Sequence, residues 1–398
     1  MKALHKIFGT ALIAMSLNAF AGDCPALSGQ LTIGKSEGAD FATVTDAVNA
    51  LKCGGVSGPV TLFLESGTYN ERVVLSSIPG VSAFNTVTFE SKSGTNTDAV
   101  ISYTAADATV AMNGVSYVSF ENLTIDHKTA TYGNCVRVDG KTSNLRFKSV
   151  IFEGVESART GANSSTIYFS STAPKTNIAF EDCDINNGSN GIYKGGYSSD
   201  ALDNKTSITG SLFFNQYESA LALVNEDAPV ITNNVVSTLS TYPGYKGLSL
   251  ENIANNMIIS NNIVTAANGS IGLSMKNCVA QVNSLGQVNN NSIAVGGNGE
   301  TYGIYLSGST DNQVLNFNRI KLTLAGGVPA ANQAYYKNAG SGNNINMMNN
   351  IMYDLNTGGY TILGNSYKDM FNQLPAQSNP ALSVSANGIM IEKVTPVR

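Results

Sequence analysis

The sequence predicts an all-β chain wound as a parallel β-helix, a solenoid closed at its amino-terminal end by one amphipathic helix. Three observations carry that expectation. The chain holds 39 Gly and 46 Asn, with 32 of the Asn after position 200, and both residue types disfavour helix interiors. A hydrophobic fraction of 42% with only 13% charged residues can bury a core, which excludes a disordered chain. A short apolar motif also recurs every 23 to 33 residues along most of the sequence, the period of stacked units.

Residues 1–21 read as a secretory signal. Lys2 and Lys6 form a basic start, Ile7 to Leu17 an apolar stretch, and Ala19-Phe20-Ala21 a cleavage site. The apolar run is too short to span about 30 Å of hydrocarbon, and no later stretch reads as transmembrane. Its removal leaves 21 basic and 28 acidic residues, a net charge of -7. That balance disfavours nucleic acid and anionic lipid as partners. The expected location is secreted, extracellular or at the cell surface, with the bacterial periplasm as an alternative.

Residues 22–55 are expected to form an amino-terminal cap. Within Phe41 to Leu51, Val44, Val48 and Leu51 share one helical face. Strand-like runs follow at Val60–Leu64, Arg72–Leu75, Thr86–Glu90, Val100–Tyr103 and Val110–Met112. Cys24 and Cys53 flank the cap, and an oxidising compartment permits a disulfide between them. With no Cys-x-x-Cys pair, a zinc site is not expected. Cys183 falls on a repeat position otherwise held by Leu, Val or Asn and reads as a buried small hydrophobe.

The β-helix is expected over 56–355, with a carboxy-terminal cap or tail at 356–398. Its unit is apolar-x-Asn-x-x-apolar, anchored at Phe120, Phe147, Phe180, Ile208, Ile231, Ile259, Val288, Phe317 and Met347. A second repeat, small-apolar-x-apolar, runs between the anchors, as in Gly191-Ile192-Tyr193-Lys194 and Gly303-Ile304-Tyr305-Leu306. Leucine-rich repeats would need a different signature, and propeller blades too many strands for this period. Asn233/Asn234, Asn261/Asn262, Asn290/Asn291 and Asn349/Asn350 recur at one bend. Asn tolerates left-handed backbone, and its amide can bond to the Asn above and below, so these Asn read as structural.

These repeats, from about residue 114 to 355, resemble those of the secreted right-handed parallel β-helix proteins of the pectin-lyase-like fold. Asp40 to Leu51 followed by Gly67-Thr-Tyr-Asn-Glu-Arg72 is similar to the start of pectin methylesterases and of bacterial surface β-helix proteins. The resemblance implies the fold and not an activity. The Gln-Asp-Thr-Leu, Asp-Phe-Ile-Phe-Gly and Leu-Gly-Arg-Pro-Trp signatures of the methylesterases are missing, and the chain has no Trp. Of the polygalacturonase motifs only Arg319-Ile-Lys321 and a loose Asp182-Cys-Asp184 match, in the wrong order and interval.

Two groups of residues are candidates for function. The densest ionisable stretch is Asp126-His127-Lys128 with Arg137, Asp139, Glu153, Glu156 and Arg159; there His127, Lys128 and Arg137 are the catalytic candidates should the chain be an enzyme. The second group follows from strand alternation. The x of small-apolar-x-apolar points outward, which places Arg137, Tyr168 and Tyr193 in one column, with Lys194 adjacent and Ala222, Ser249, Ser274 and Tyr305 further on. Aromatic faces suit sugar rings and Arg suits carboxylates. The expected function is therefore a non-catalytic glycan-binding or adhesin-like scaffold, with a polysaccharide or cell-surface glycan as partner. The alternative is a polysaccharide lyase or hydrolase acting on uronate-containing glycans. No cofactor or metal is expected, except Ca²⁺ under the lyase alternative.

Overall fold

A computed structural model describes residues 24–354, apart from 157, 269, 298–299, 325–332, 339–343 and 349, together with 390–392. The expected signal segment, most of the carboxy-terminal region and Asn349 lie outside the described residues. The chain is a right-handed parallel β-helix whose coils each contribute a short strand to three faces. The first face runs from Val73–Ser76 through Ala108–Asn113 and Asn134–Asp139 to Gln333–Lys337. The second runs from Leu27–Ile33 and Val56–Leu64 to Ile345–Met348, and the third from Gly67–Tyr69 to Met390–Glu392. The first two join around a shallow corner as one 22-stranded sheet, and the third is a separate 12-stranded sheet.

The cap holds more than a helix. Leu27–Ile33 pairs in parallel with Val56–Leu64 and so forms the first rung of the second face. The helix α1, Val44–Gly54, buries Val44, Ala47, Val48 and Leu51 over the end of the coil, where a bare strand edge would invite pairing with other chains. Thr43 caps its amino terminus by accepting from the Asp46 amide at 3.0 Å. Glu71 accepts from the amides of Val44 and Thr45 at 3.1 and 2.8 Å, which satisfies two more of the helix's free donors. That contact joins the helix to the Gly67–Arg72 segment. Phe41 lies before the helix, in a backbone bridge to Ile33. Cys24 and Cys53 form a disulfide with Cα atoms 5.6 Å apart, tying the start of the described chain to the helix end.

The repeat anchors form the inner row of the second face. Phe89, Phe120, Phe147 and Phe180 stack in register, followed by Ile208, Ile231, Ile259, Val288, Leu315 and Met347. Ring centroids in the Phe stack are 5.0, 5.7 and 5.0 Å apart. One anchor of the sequence reading is out of phase: the core residue is Leu315, while Phe317 is 57% exposed with φ 58°. Phe317 occupies the left-handed corner position that Asn233, Asn261 and Asn290 hold in earlier coils.

With the phase corrected, the Asn array divides in two. Asn234, Asn262, Asn291, Asn318 and Asn350 are buried, and each of the first four donates from Nδ2 to the next Oδ1 at 2.9–3.0 Å. Asn233, Asn261 and Asn290 instead supply positive φ at the corner. Ser211 and Cys183 continue the buried row toward the amino terminus, and Cys183 is fully buried.

The small residue of the second repeat has its own cause. A Cβ on Gly247, Gly272 or Gly303 would stand 2.3–2.4 Å from the side chains of Val264, Ile293 and Ile320, respectively. At these three rungs the first face therefore turns its corner directly against the inner row of the third, where a side chain has no room; other rungs hold Thr109, Cys135, Thr166, Ala220 and Ala334 at the same position.

Candidate functional site

The outward row of the first face is continuous. Strand pairing aligns Ala111, Arg137, Tyr168, Tyr193, Ala222, Ser249, Ser274, Tyr305 and Tyr336 on successive rungs. Because adjacent strands lie about 4.8 Å apart, neighbouring side chains in the row touch. The Arg137 guanidinium carbon lies 4.9 Å from the Tyr168 ring centroid, a cation–π distance. Its Nε donates to Asp139 Oδ2 at 2.9 Å. The Tyr168 and Tyr193 rings stack at 5.9 Å with 14° between their planes. Burial first, then the neighbouring Tyr168, Glu251 and Glu218, push the Tyr193 hydroxyl pKa up, so it stays a neutral donor. The three side chains are half-buried and form a short platform with a cation at one end.

Beyond Tyr193 the row drops to a floor of small residues. Ala222 and Ser274 point outward yet are only 9% and 6% exposed, because larger neighbours stand around them. Glu251 and Lys276 pair at 2.7 Å along one side, one alternate position further along their strands than Ser249 and Ser274.

Lys194 does not belong to this surface. Alternation turns it inward, where it is 1% exposed and pairs with Asp203 Oδ2 at 2.5 Å and with Glu226. Thr206 donates to Glu226 at 2.8 Å, and the Lys175 amide donates to Asp203 at 2.8 Å. Burial raises the Glu226 pKa against the pull of Lys194. This is an enclosed ion cluster in the core, and Lys194 cannot reach a ligand on the face.

His127 is also enclosed. It is 0% exposed, with Nδ1 2.7 Å from the Tyr103 carbonyl and 3.0 Å from Thr109 Oγ1, and Nε2 3.0 Å from the Tyr132 carbonyl. The segment 128–133 closes over it so tightly that a Cβ on Gly133 would lie 2.5 Å from Nε2. Both ring nitrogens are engaged with protein, and the ring is closed off from the outward row of the first face. Lys128 pairs with Glu153 of the third face at 3.7 Å, away from the Arg137 row. The ionisable stretch thus divides between two faces. Among the described residues no group of His, Cys, Asp and Glu could hold a metal ion.

The sequence reading missed Tyr302 and Tyr336. Tyr305 and Tyr336 stack at 5.1 Å with 19° between planes, and Tyr302 leans on both at 5.1 and 5.0 Å. Gln333-Ala-Tyr-Tyr-Lys337 carries the small-apolar-x-apolar pattern, with Ala334 as the small residue, and could have revealed Tyr336.

No protein-family model and no curated protein matches the chain. Solved structures similar to it include a pectin methylesterase in complex with a hexasaccharide, 18% identical over 62% of this chain and 81% of that one, TM-score 0.38. The surface adhesin PfbA of Streptococcus pneumoniae is 12% identical over 81% of this chain and 88% of that one, TM-score 0.45. A pectate lyase is 13% identical over 87% and 84%, TM-score 0.40. The fold rests on the strand ladders themselves, which make the chain a right-handed parallel β-helix.

Proposed function

We propose that the chain is a secreted or surface-exposed scaffold that binds an acidic glycan on its first face and does not transform it. The observation that carries this reading is the Arg137–Tyr168–Tyr193 stack. Tyr168 is held between Arg137 and Tyr193, so the row offers a line of aromatic edges with the Tyr193 ring at one end for sugar rings, and a guanidinium at the other for a carboxylate. The Cys24–Cys53 disulfide supports an oxidising compartment. The enclosure of His127 removes one of the candidate bases of the lyase alternative and leaves Arg137 on the face.

A panel of acidic and neutral polysaccharides tests the proposal, read for binding and, with and without Ca²⁺, for new unsaturated or reducing ends. The expected result is binding to acidic glycans without turnover. Formation of unsaturated ends would establish the lyase alternative, and binding to no glycan would defeat both.

A further inference from the structure

The first face carries a second aromatic cluster, and its position relative to the first is informative. Tyr193 and Tyr305 occupy the same outward row, four rungs apart through Ala222, Ser249 and Ser274. That is roughly 19 Å at the usual strand spacing. We infer that the two Tyr clusters are the end platforms of a single site, which holds one extended acidic polysaccharide along the β-helix axis over the trough between them. The inference rests on the glycan-binding reading and deepens it.

The trough favours a spanning ligand over two separate small ones. A large side chain at any of the three intervening positions would interrupt the row, and all three are small. Ala222 and Ser274 are nearly buried and Ser249 between them is half-buried, which marks a floor between the two Tyr clusters. The Glu251–Lys276 pair lines the floor with a donor and an acceptor, which suits hydroxyl groups of a sugar chain.

The ends differ in chemistry, so the site has a direction. At the amino-terminal platform the Arg137 guanidinium covers a Tyr face. At the other, Tyr302 donates its hydroxyl to Glu300 at 3.2 Å, and a carboxylate there would meet a like charge. Rings at the second platform form a corner, with Tyr302 inclined 58° and 42° to Tyr305 and Tyr336. The acidic sugar is thus assigned to the Arg137 end and an uncharged ring to the Tyr302 corner.

Affinity measured against chain length tests this, with size-fractionated hyaluronan oligosaccharides, in which uronate and uncharged rings alternate, from the disaccharide upward as the probe. Joining two platforms through one ligand should raise affinity about tenfold or more once the chain covers both. The Tyr305→Ala/Tyr336→Ala variant should lose that step and retain the wild-type affinity for the shortest binders. Ser249→Trp, which fills the floor, should do the same, with circular dichroism confirming that both variants fold. A step that persists in both variants, or affinity that does not rise with length in the wild type, overturns the inference and leaves single-platform binding standing. Failure of every length to bind overturns the glycan-binding reading and this inference together.

Discussion

Replacing Asn262 with Leu isolates the energetic role of the buried Asn row. The Asn262 amide is fully used: Nδ2 donates to Ile231 O and Asn291 Oδ1, both at 2.9 Å, and Oδ1 accepts the Asn234 N–H at 3.1 Å and Nδ2 at 3.0 Å. Leu has the same number of side-chain heavy atoms as Asn and the same branching, so no cavity is opened. What changes is that two buried donors of Asn234 lose their acceptor and Ile231 O loses a donor. An unsatisfied buried group costs about 1–3 kcal/mol, so the two orphaned donors give an expected loss of about 2–6 kcal/mol. Asn261→Gly is the matched control. Asn261 is exposed at φ 58°, a conformation Gly adopts freely, and accepts one exposed hydrogen bond from Asn290. Its loss should stay below about 1 kcal/mol. Urea denaturation measures both, and because stacked repeats can unfold in parts, amide exchange over 231–293 should localise the effect. Equal losses in the two variants, or none for Asn262→Leu, would refute the division into a buried row and a corner row.

Three further outcomes follow from the same structure. Lys194→Met leaves Asp203 and Glu226 buried without their cation, which should cost about 3–5 kcal/mol in denaturant; a stable variant that merely loses glycan affinity would contradict the inward placement. Gly272→Val places carbon 2.3 Å from Ile293 Cγ2 and 2.7 Å from the Gly303 carbonyl, so overpacking should cost about 1–3 kcal/mol or more, and an unchanged melting temperature would count against the tight corner. Hydrogen bonds from Ser36 and Lys92 hold the Glu65 carboxyl down at about 2, below its ordinary 4.5. A depressed carboxyl contributes stability that is present above 4.5 and lost as pH falls through 2, so Glu65→Gln should flatten acid unfolding in that window; superimposable acid-unfolding curves would disprove the contribution.

Much of the fold could be read from the repeats because each anchor meets its own kind on the next rung. The Phe anchors stack on one another, and the Asn bend continues through them. The reading slipped at Phe317, where an aromatic residue occupies a left-handed corner that Asn usually holds; a pattern of apolar letters takes it for core. The buried Asn318, one residue on, was lost with it. Strand alternation correctly aligned Arg137, Tyr168 and Tyr193, and the same rule turns Lys194 inward, since it follows an outward residue. Lys194 is buried only because Asp203 and Glu226 arrive at the same corner from later segments, a coincidence of three-dimensional position that spacing does not display. His127 was illegible for a similar reason. Nothing in its neighbours shows that 128–133 folds back to place the Tyr132 carbonyl on its ring.

The proposed function places an acidic glycan on the Arg137–Tyr168–Tyr193 row. Its most direct test is a titration of the glycan selected by the panel against wild type, Tyr168→Ala/Tyr193→Ala and Arg137→Ala, at low and high salt. Each lost ring contact should cost on the order of 1 kcal/mol, by analogy with aromatic pairs, with circular dichroism unchanged because the rings lie on the outward side of the strands. Arg137→Ala should weaken binding and reduce its salt dependence. Wild-type affinity in the Tyr double variant, with the fold intact, would place the glycan elsewhere and contradict the account.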